Sequence, residues 1–438
     1  MKLKELMRDA GMVGAGGAGF PSYAKIAEGA DTLLVNGSEC EPLLYTDLTI
    51  LREEMDTVLC GIVAALEGTG IPRAVLCIKE HTAEALGLTE GESLCERVSV
   101  KVLENVYPIG DEISIIFEAL GRVVRPGNLP ISVGVIVYNV ETLYNLGRFI
   151  MTGEPVLDKW LTVGGDTSVH AVVKVPIGTR VSDLFEKLGV TVNEGCSVLD
   201  GGPSMGKIIN YKTATVTKTT KALLVLPDTS QAIESKRINE KLAVTRAETA
   251  CCQCTRCTDM CPRHLLGYPL EPHKMVRTAM SAVEAKPIMV LSASLCCGCG
   301  ICESLACSQG ISPKAVINNY KSVLRESKLR FISKEDVLPR RERDYRKVPS
   351  SRWARTLGVA KFDTPPNFLG KIEDISRVEI PLDKHIGIPS IKTVKDGDEV
   401  MRGDVIAVAA EGLSIPQHAS ISGKVTAVNG KITIGKVN

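Results

Sequence analysis

Two cysteine runs offer the plainest chemistry in the chain. The first, CCQCTRCTDMCP over 251–262, places Cys251, Cys254, Cys257 and Cys261 at spacings of x2, x2 and x3 before Pro262. The second, CCGCGICESLAC over 296–307, places Cys296, Cys299, Cys302 and Cys307 at x2, x2 and x4. Three thiolates on this rhythm hold one [4Fe–4S] cube, and the fourth cysteine of each run ligates the other cube. The expected sets are Cys251, Cys254 and Cys257 with Cys307, and Cys296, Cys299 and Cys302 with Cys261. A structural zinc ion is the competing use of paired cysteines, but it takes four ligands and leaves the third cysteine of each run without a task. Disulfides need an oxidising compartment, and nothing in the chain signals export. Cys252 and Cys297 are read as non-ligands, because using either breaks the rhythm.

Composition sets the frame for these runs. The 438 residues suffice for roughly three or four domains. A formal net charge of +1 gives no field that would draw nucleic acid or an anionic membrane. No apolar run approaches the roughly 20 residues of a membrane span. The N-terminus lacks the apolar stretch of a signal peptide, and its Leu3, Leu6, Met7 and Ala10 fall on one helical face. Cys40, Cys60, Cys77, Cys95 and Cys196 lie outside the runs in apolar contexts and read as buried thiols. The expected location is cytoplasmic.

Upstream of the clusters the pattern is α/β. Residues 13–25, VGAGGAGFPSYAK, hold Gly14, Gly16, Gly17 and Gly19 in a loop whose amides can reach an anion. The loop follows a helix rather than opening a strand–loop–helix unit, so the usual dinucleotide fingerprint is not met. Strands are expected at 31–36, 74–79, 98–103 and 131–139, with helices over 52–67 and 140–150. Four motifs occur in order: VGAGGAGFP, VNGSECEP (35–42), YPIGDE (107–112) and YNVETL (138–143). Together they resemble the flavin-binding subunit family of respiratory NADH dehydrogenases. The similarity is greater to its RnfC/PduS branch, where GRVVRPGNLP (121–130) also has a counterpart. The resemblance implies FMN and NADH. A flavin phosphate suits the amides of 14–19 and the ammonium of Lys25, and its ring edge suits Asn36 and Asn139. By motif position, Asn36, Glu39, Gly110, Asn139 and Thr142 match FMN contacts, while Phe20, Glu41 and Glu112 match the nicotinamide region. Two positions depart from the pattern: Ala15 stands where the respiratory subunits have arginine, and Ser38 where they have aspartate.

Later segments continue the resemblance. Residues 162–227 give strands and a short helix, similar to a soluble-ligand-binding β-grasp (SLBB) domain, read here as a structural spacer. Between the cysteine runs, Met275, Met280, Val283 and Ala285 predict helical packing around the cubes. Residues 325–355 carry 11 Lys or Arg against 5 Asp or Glu; a nucleic-acid arm is one reading, but the interleaved acids favour a solvated linker with local ion pairs, with a docking surface for an acidic electron-transfer partner between the two. The C-terminal strands and turns resemble a barrel-sandwich domain. The hairpin EGLSIPQH between its halves has no lysine, so it carries neither lipoate nor biotin. Placement of PLDKHIGIPS near the C-terminus points to the PduS-type arrangement rather than the membrane-complex one.

The expected architecture is multidomain, α/β with α+β parts. A Rossmann-like FMN/NADH domain spans 1–155 and an SLBB β-grasp domain 156–232. A two-cluster ferredoxin-like helical domain follows over 233–320, then a charged linker (321–370) and an all-β barrel-sandwich domain (371–438). The resemblance implies electron transfer from NADH through FMN and two [4Fe–4S] clusters to a corrinoid, with a microcompartment interior as one setting and a shell protein or adenosyltransferase as further partners. A different acceptor, such as a ferredoxin, and a non-enzymatic electron-wiring protein that has lost NADH binding remain open alternatives.

Overall fold

A computed structural model describes residues 2–280, 286–428 and 430–436; the positions of Val283 and Ala285 lie outside them. The N-terminal region is a three-layer α/β unit. Helix α1 (Leu3–Asp9) precedes β1 (Thr32–Asn36), α2 (Thr46–Glu53), α3 (Met55–Thr69), β2 (Arg73–Lys79) and α4 (Glu80–Leu86). Then come β3 (Ser93–Cys95), β4 (Val98–Leu103), β5 (Val106–Tyr107), α5 (Glu112–Leu120), β6 (Val135–Asn139) and α6 (Val140–Thr152). The sheet order is β3-β4-β2-β1-β6, with β1 parallel to both β2 and β6. The first four residues expected in the last strand form a 3-10 turn instead, ending at Gly134.

Near-continuous apolar runs let β1, and β6 at the edge of the sheet, be buried on both faces. Leu33 and Val35 pack with Val58, Ile62 and Leu143 from α3 and α6. Leu34, Val135 and Val137 face the other way, onto Ile113, Ile115 and Ile116 of α5. Where α3 crosses α6, Gly61 and Gly147 bring the backbones together. A Cβ on Gly61 would lie 1.9 Å from the Leu143 carbonyl oxygen, and one on Gly147 1.9 Å from that of Thr57.

A six-stranded sheet follows, in order β10-β9-β11-β7-β8-β13. It holds β7 (Asp158–Gly165), β8 (Ala171–Pro176), helix α7 (Val181–Leu188), β9 (Cys196–Asp200), β10 (Lys207–Ile209) and β11 (Ala222–Pro227). Helices α8 (Gln231–Arg237) and α9 (Glu240–Ala250) lead into the cysteine runs; Asn239 breaks what reads as one helix by capping α9 through the Leu242 amide. The runs sit among α10 (Arg256–Asp259), α11 (Pro262–Leu265), α12 (Pro272–Ala279), α13 (Pro287–Ser292), α14 (Ile301–Ser304) and α15 (Pro313–Glu326). Two small antiparallel sheets between Arg377 and Gly435 form the C-terminal unit around Val378, Ile380, Ile406, Val425 and Ile434.

Ion pairs tie residues 321–370 to the N-terminal unit: Arg125 pairs with Asp336, Arg343 with Glu118, and Lys347 with Glu104. β12 (Val348–Pro349) pairs with β5, and α16 (Ser350–Thr356) buries Trp353 completely. β13 (Asn367–Lys371) then joins the second sheet alongside β8. The segment is a strap laid across three units. Because neither helix backbone can retreat at the α3–α6 crossing, Gly147→Ala should cost about 3 kcal/mol and lower the thermal midpoint, with Gly61→Ala behaving alike.

Candidate cofactor sites

Strands β1 and β6 end side by side, with Asn36 in register with Asn139. The chain leaves β1 toward β2 on one side, whereas β6 lies on the other. The carboxyl ends of both strands border a crevice, on the side where open α/β sheets hold ligands. Asn139 caps α6 through the Glu141 amide, and its Nδ2 donates to the Asn36 carbonyl and to Asp47. Asn36 donates to the Gly110 carbonyl and accepts from the Ser38 amide. The two motif asparagines thus tie together three of the four sequence motifs.

The glycine loop is anchored at its second residue. The Ala15 amide donates to Thr142 Oγ1, and the Ala15 carbonyl accepts from Lys159. Ala15 is 2% exposed, which leaves no room for the arginine of the respiratory pattern. Thr142 is fully buried and anchors the loop through this hydrogen bond. The amides of Gly16, Gly17 and Ala18 find no acceptor among the described residues. A cavity of about 300 Å³ lies beside the loop, lined by Ala18, Phe20, Lys25, Glu112, Pro130 and Val137 among others. Lys25 Nζ is 2.5 Å from Glu112 and 3.1 Å from the Val137 carbonyl. Glu41 is not part of this cavity. Its carboxylate accepts from the Ser204 and Met205 amides, at 2.8 and 2.7 Å, and locks the crevice to the second sheet. Ser38 is likewise spoken for, donating to the Cys77 carbonyl.

Beneath the crevice lies a group of buried charges in which motif residues Glu39 and Glu141 meet three residues outside the motifs, Asp47, Lys159 and Lys221. Lys221 Nζ is 2.5 Å from Asp47, 3.7 Å from Glu39 and 3.8 Å from Glu141, while Lys159 pairs with Glu141. Both lysines come from the second sheet region, so that unit is more than a spacer. Asp47 and Glu141 occupy first turns of α2 and α6, where the helix dipole favours acids. Burial works against the charge on Lys221, but Asp47, then Glu39 and Glu141, hold its proton above the ordinary lysine range. Burial pulls Lys159 down. Burial and then the Asp47 carboxylate push Glu39 up to about 8. Both Glu39 oxygens lack a well-formed hydrogen bond, although the Asp47 and Leu48 amides lie alongside. Free loop amides, an orphaned buried carboxyl and an apolar cavity with one ammonium fit a flavin mononucleotide.

The eight cysteines divide in space. Cys251, Cys254, Cys257 and Cys307 line one small cavity, together with Cys252. Cys257 is pushed up to about 12 by burial, then by Cys307, Cys254 and Cys251. Cys261 is raised to about 12 by burial, with Cys296 among its thiol neighbours, and Cys302 is raised by burial with Cys296 and Cys261 close by. Cys297 also lies beside Cys261, and Cys257 beside Cys302. Among the described residues no three such side chains converge at single-ion distance; a cube spreads its thiolates around four irons. Cys252 is exposed, and Cys297 faces Arg263. The second group adjoins the crevice: Tyr107 of YPIGDE donates to the Cys299 carbonyl at 2.7 Å, and Asp111 pairs with Arg263 at 2.8 Å.

Comparison with known proteins matches these units. Residues 7–148 fit the Nuo51 FMN-binding domain, 250–312 the 4Fe-4S dicluster domain and 359–436 the RnfC barrel sandwich hybrid domain. Cobalamin reductase PduS of Salmonella typhimurium is 36% identical over 98% of this chain and 95% of its own length. The chain belongs to the PduS family. Its Citrobacter freundii member is also 36% identical, over 97% of this chain and 94% of its own. One component of the Na(+)-translocating ferredoxin:NAD(+) oxidoreductase complex of Acetobacterium woodii is 29% identical over 60% of this chain and 58% of its own. This PduS-family chain therefore has an FMN-binding domain and a 4Fe-4S dicluster domain.

Two outcomes test the geometry. Cys261→Ser should remove the cube bounded by Cys296, Cys299 and Cys302 while sparing the other, seen as loss of one paramagnetic signal and half the iron. Glu39, protonated when folded up to about pH 8, binds a proton that the unfolded chain gives up near 4.5, so wild-type stability falls as pH rises through that window. Glu39→Gln should flatten this slope, its thermal midpoint gaining on wild type between about pH 5 and about pH 8.

Proposed function

We propose that the protein is an NADH-dependent cobalamin reductase. The near full-length PduS match carries this reading, and the contact of the crevice with the second cysteine group supports it. Two electrons enter as hydride and leave singly: NADH and two cob(III)alamin give NAD+, a proton and two cob(II)alamin. FMN and the cubes supply that two-to-one conversion when bound.

The chain's own residues do the rest. In this reading the N-terminal unit is Rossmann-like and the second sheet an SLBB β-grasp. The amides of Gly16, Gly17 and Ala18, with Lys25, hold the flavin phosphate; Asn36, Gly110 and Asn139 border the ring; Glu39 lies below it. Phe20 and Glu112 flank the nicotinamide, and Glu112 gives up its pairing with Lys25 as ligands enter. Glu41 positions the crevice against Ser204 rather than touching the nucleotide. Cys251, Cys254, Cys257 and Cys307 hold one cube, and Cys261, Cys296, Cys299 and Cys302 the cube nearer the flavin. The acceptor is a corrinoid; a microcompartment interior, with shell or adenosyltransferase as neighbours, is the finer setting. Among the described residues no helix is long and apolar enough to cross a membrane.

Anaerobic stopped-flow mixing with NADH should bleach the flavin, then the cubes, and then reduce added cob(III)alamin. Bleaching without corrinoid reduction would favour another acceptor, as in the ferredoxin-linked relative. No bleaching with NADH or NADPH would leave an electron-wiring protein.

A further inference from the structure

Where the second sheet meets the helical cysteine region, two lysines share one carbonyl. Lys236 on α8 donates to the Ser204 oxygen at 3.0 Å, and Lys314 on α15 donates to the same oxygen at 3.1 Å. Lys314 is also 3.1 Å from Glu303, whose second oxygen accepts from the Ser312 hydroxyl. Lys236 has no ion-pair partner among the described residues, and burial, then the Lys314 ammonium, bring it down to about 8. Each ammonium has three donors. Lys236 uses one and Lys314 two, which leaves three N–H groups with no acceptor among the described residues.

Those groups border a cavity of about 370 Å³, also lined by Lys207, Asn318 and Glu303, so three lysines face one carboxylate there. Its rim is apolar: Met205 is 55% and Ile208 38% exposed. The Met205 methyl lies 3.9 Å from where a Cβ on Gly298 would sit, within the loop that carries Cys296 and Cys299. Glu303 directly follows Cys302. A cationic recess, an apolar ledge and a cluster loop thus meet at one place.

We propose that this cavity docks the electron acceptor, with Lys236 and Lys314 gripping a phosphate group and Met205 and Ile208 supporting its apolar body beside the cube. This rests on the corrinoid reading, in which the acceptor bears a phosphodiester on its nucleotide arm. The excess positive charge answers that group, and the exposed methionine and isoleucine answer the macrocycle.

The test compares cob(III)alamin with cobinamide, which lacks the nucleotide arm and its phosphodiester, using NADH as donor and the full holoprotein. Lys236→Met should raise KM for cobalamin about tenfold, as loss of one charge-assisted contact does, and leave KM for cobinamide within about twofold. Lys236→Arg should restore most of the difference. NADH-driven ferricyanide reduction should be unchanged in both variants, reporting intact electron entry. Equal effects on the two corrinoids, or no effect on either, would overturn the proposal. If wild type reduces ferricyanide but neither corrinoid, the corrinoid reading fails, and calorimetry with inorganic phosphate decides the cavity alone. Binding lost in Lys236→Met retains an anion site, and absence of binding removes it. Should Lys314→Met misfold by stranding Glu303, Lys236→Met still carries the test.

Discussion

Five charged side chains, Glu39, Asp47, Glu141, Lys159 and Lys221, share a junction that water hardly reaches. Taking such groups out of water costs several kcal/mol each, recovered only when opposite charges and hydrogen bonds meet them closely. The acids come from the crevice and the cations from the neighbouring sheet, so neither unit can bury its share alone. The junction therefore welds the two together. It also holds the crevice: Lys159 grips the glycine loop, and Asp47 fixes Asn139.

Much of this architecture could be read from residues. The cysteine rhythm is legible because a cube demands thiolates at set spacings, and alternate burial of Leu33, Leu34 and Val35 follows from a strand covered on both faces. Thr142 and Glu41 show the limit. Motif position brought both near the crevice, but whether a hydroxyl or carboxylate points at a ligand or at a backbone amide depends on neighbours distant in sequence. Lys159 and Lys221 were harder still, since a lysine in or beside a strand looks like any solvated one until another unit's acids are set against it. Asp336, Arg343 and Lys347 are a milder case: a charged run suggests local ion pairs without naming the partners, here Arg125, Glu118 and Glu104.

The C-terminal unit has a related logic. Its hairpin lacks the lysine of a swinging carrier, and the reason is spatial. Ser414 and Ile415 are fully buried, Tyr23 donates to the Ser414 carbonyl, and Lys218 bridges the carbonyls of Gly11 and Pro416. The tip is pressed onto the helix-to-loop turn that precedes the glycines, and the Ile386 amide reaches the Gly19 carbonyl. A hairpin that in a carrier would travel is here a brace for the loop.

The strap also sets an order of events during synthesis. β13 completes the second sheet from residues 367–371, more than a hundred positions after β11. While the ribosome is still making the intervening chain, the edge of β8 stands open, and an unpaired edge invites pairing with another molecule. All eight cluster cysteines emerge during that interval. The cluster ligands are thus all synthesised before the strand that closes this sheet edge.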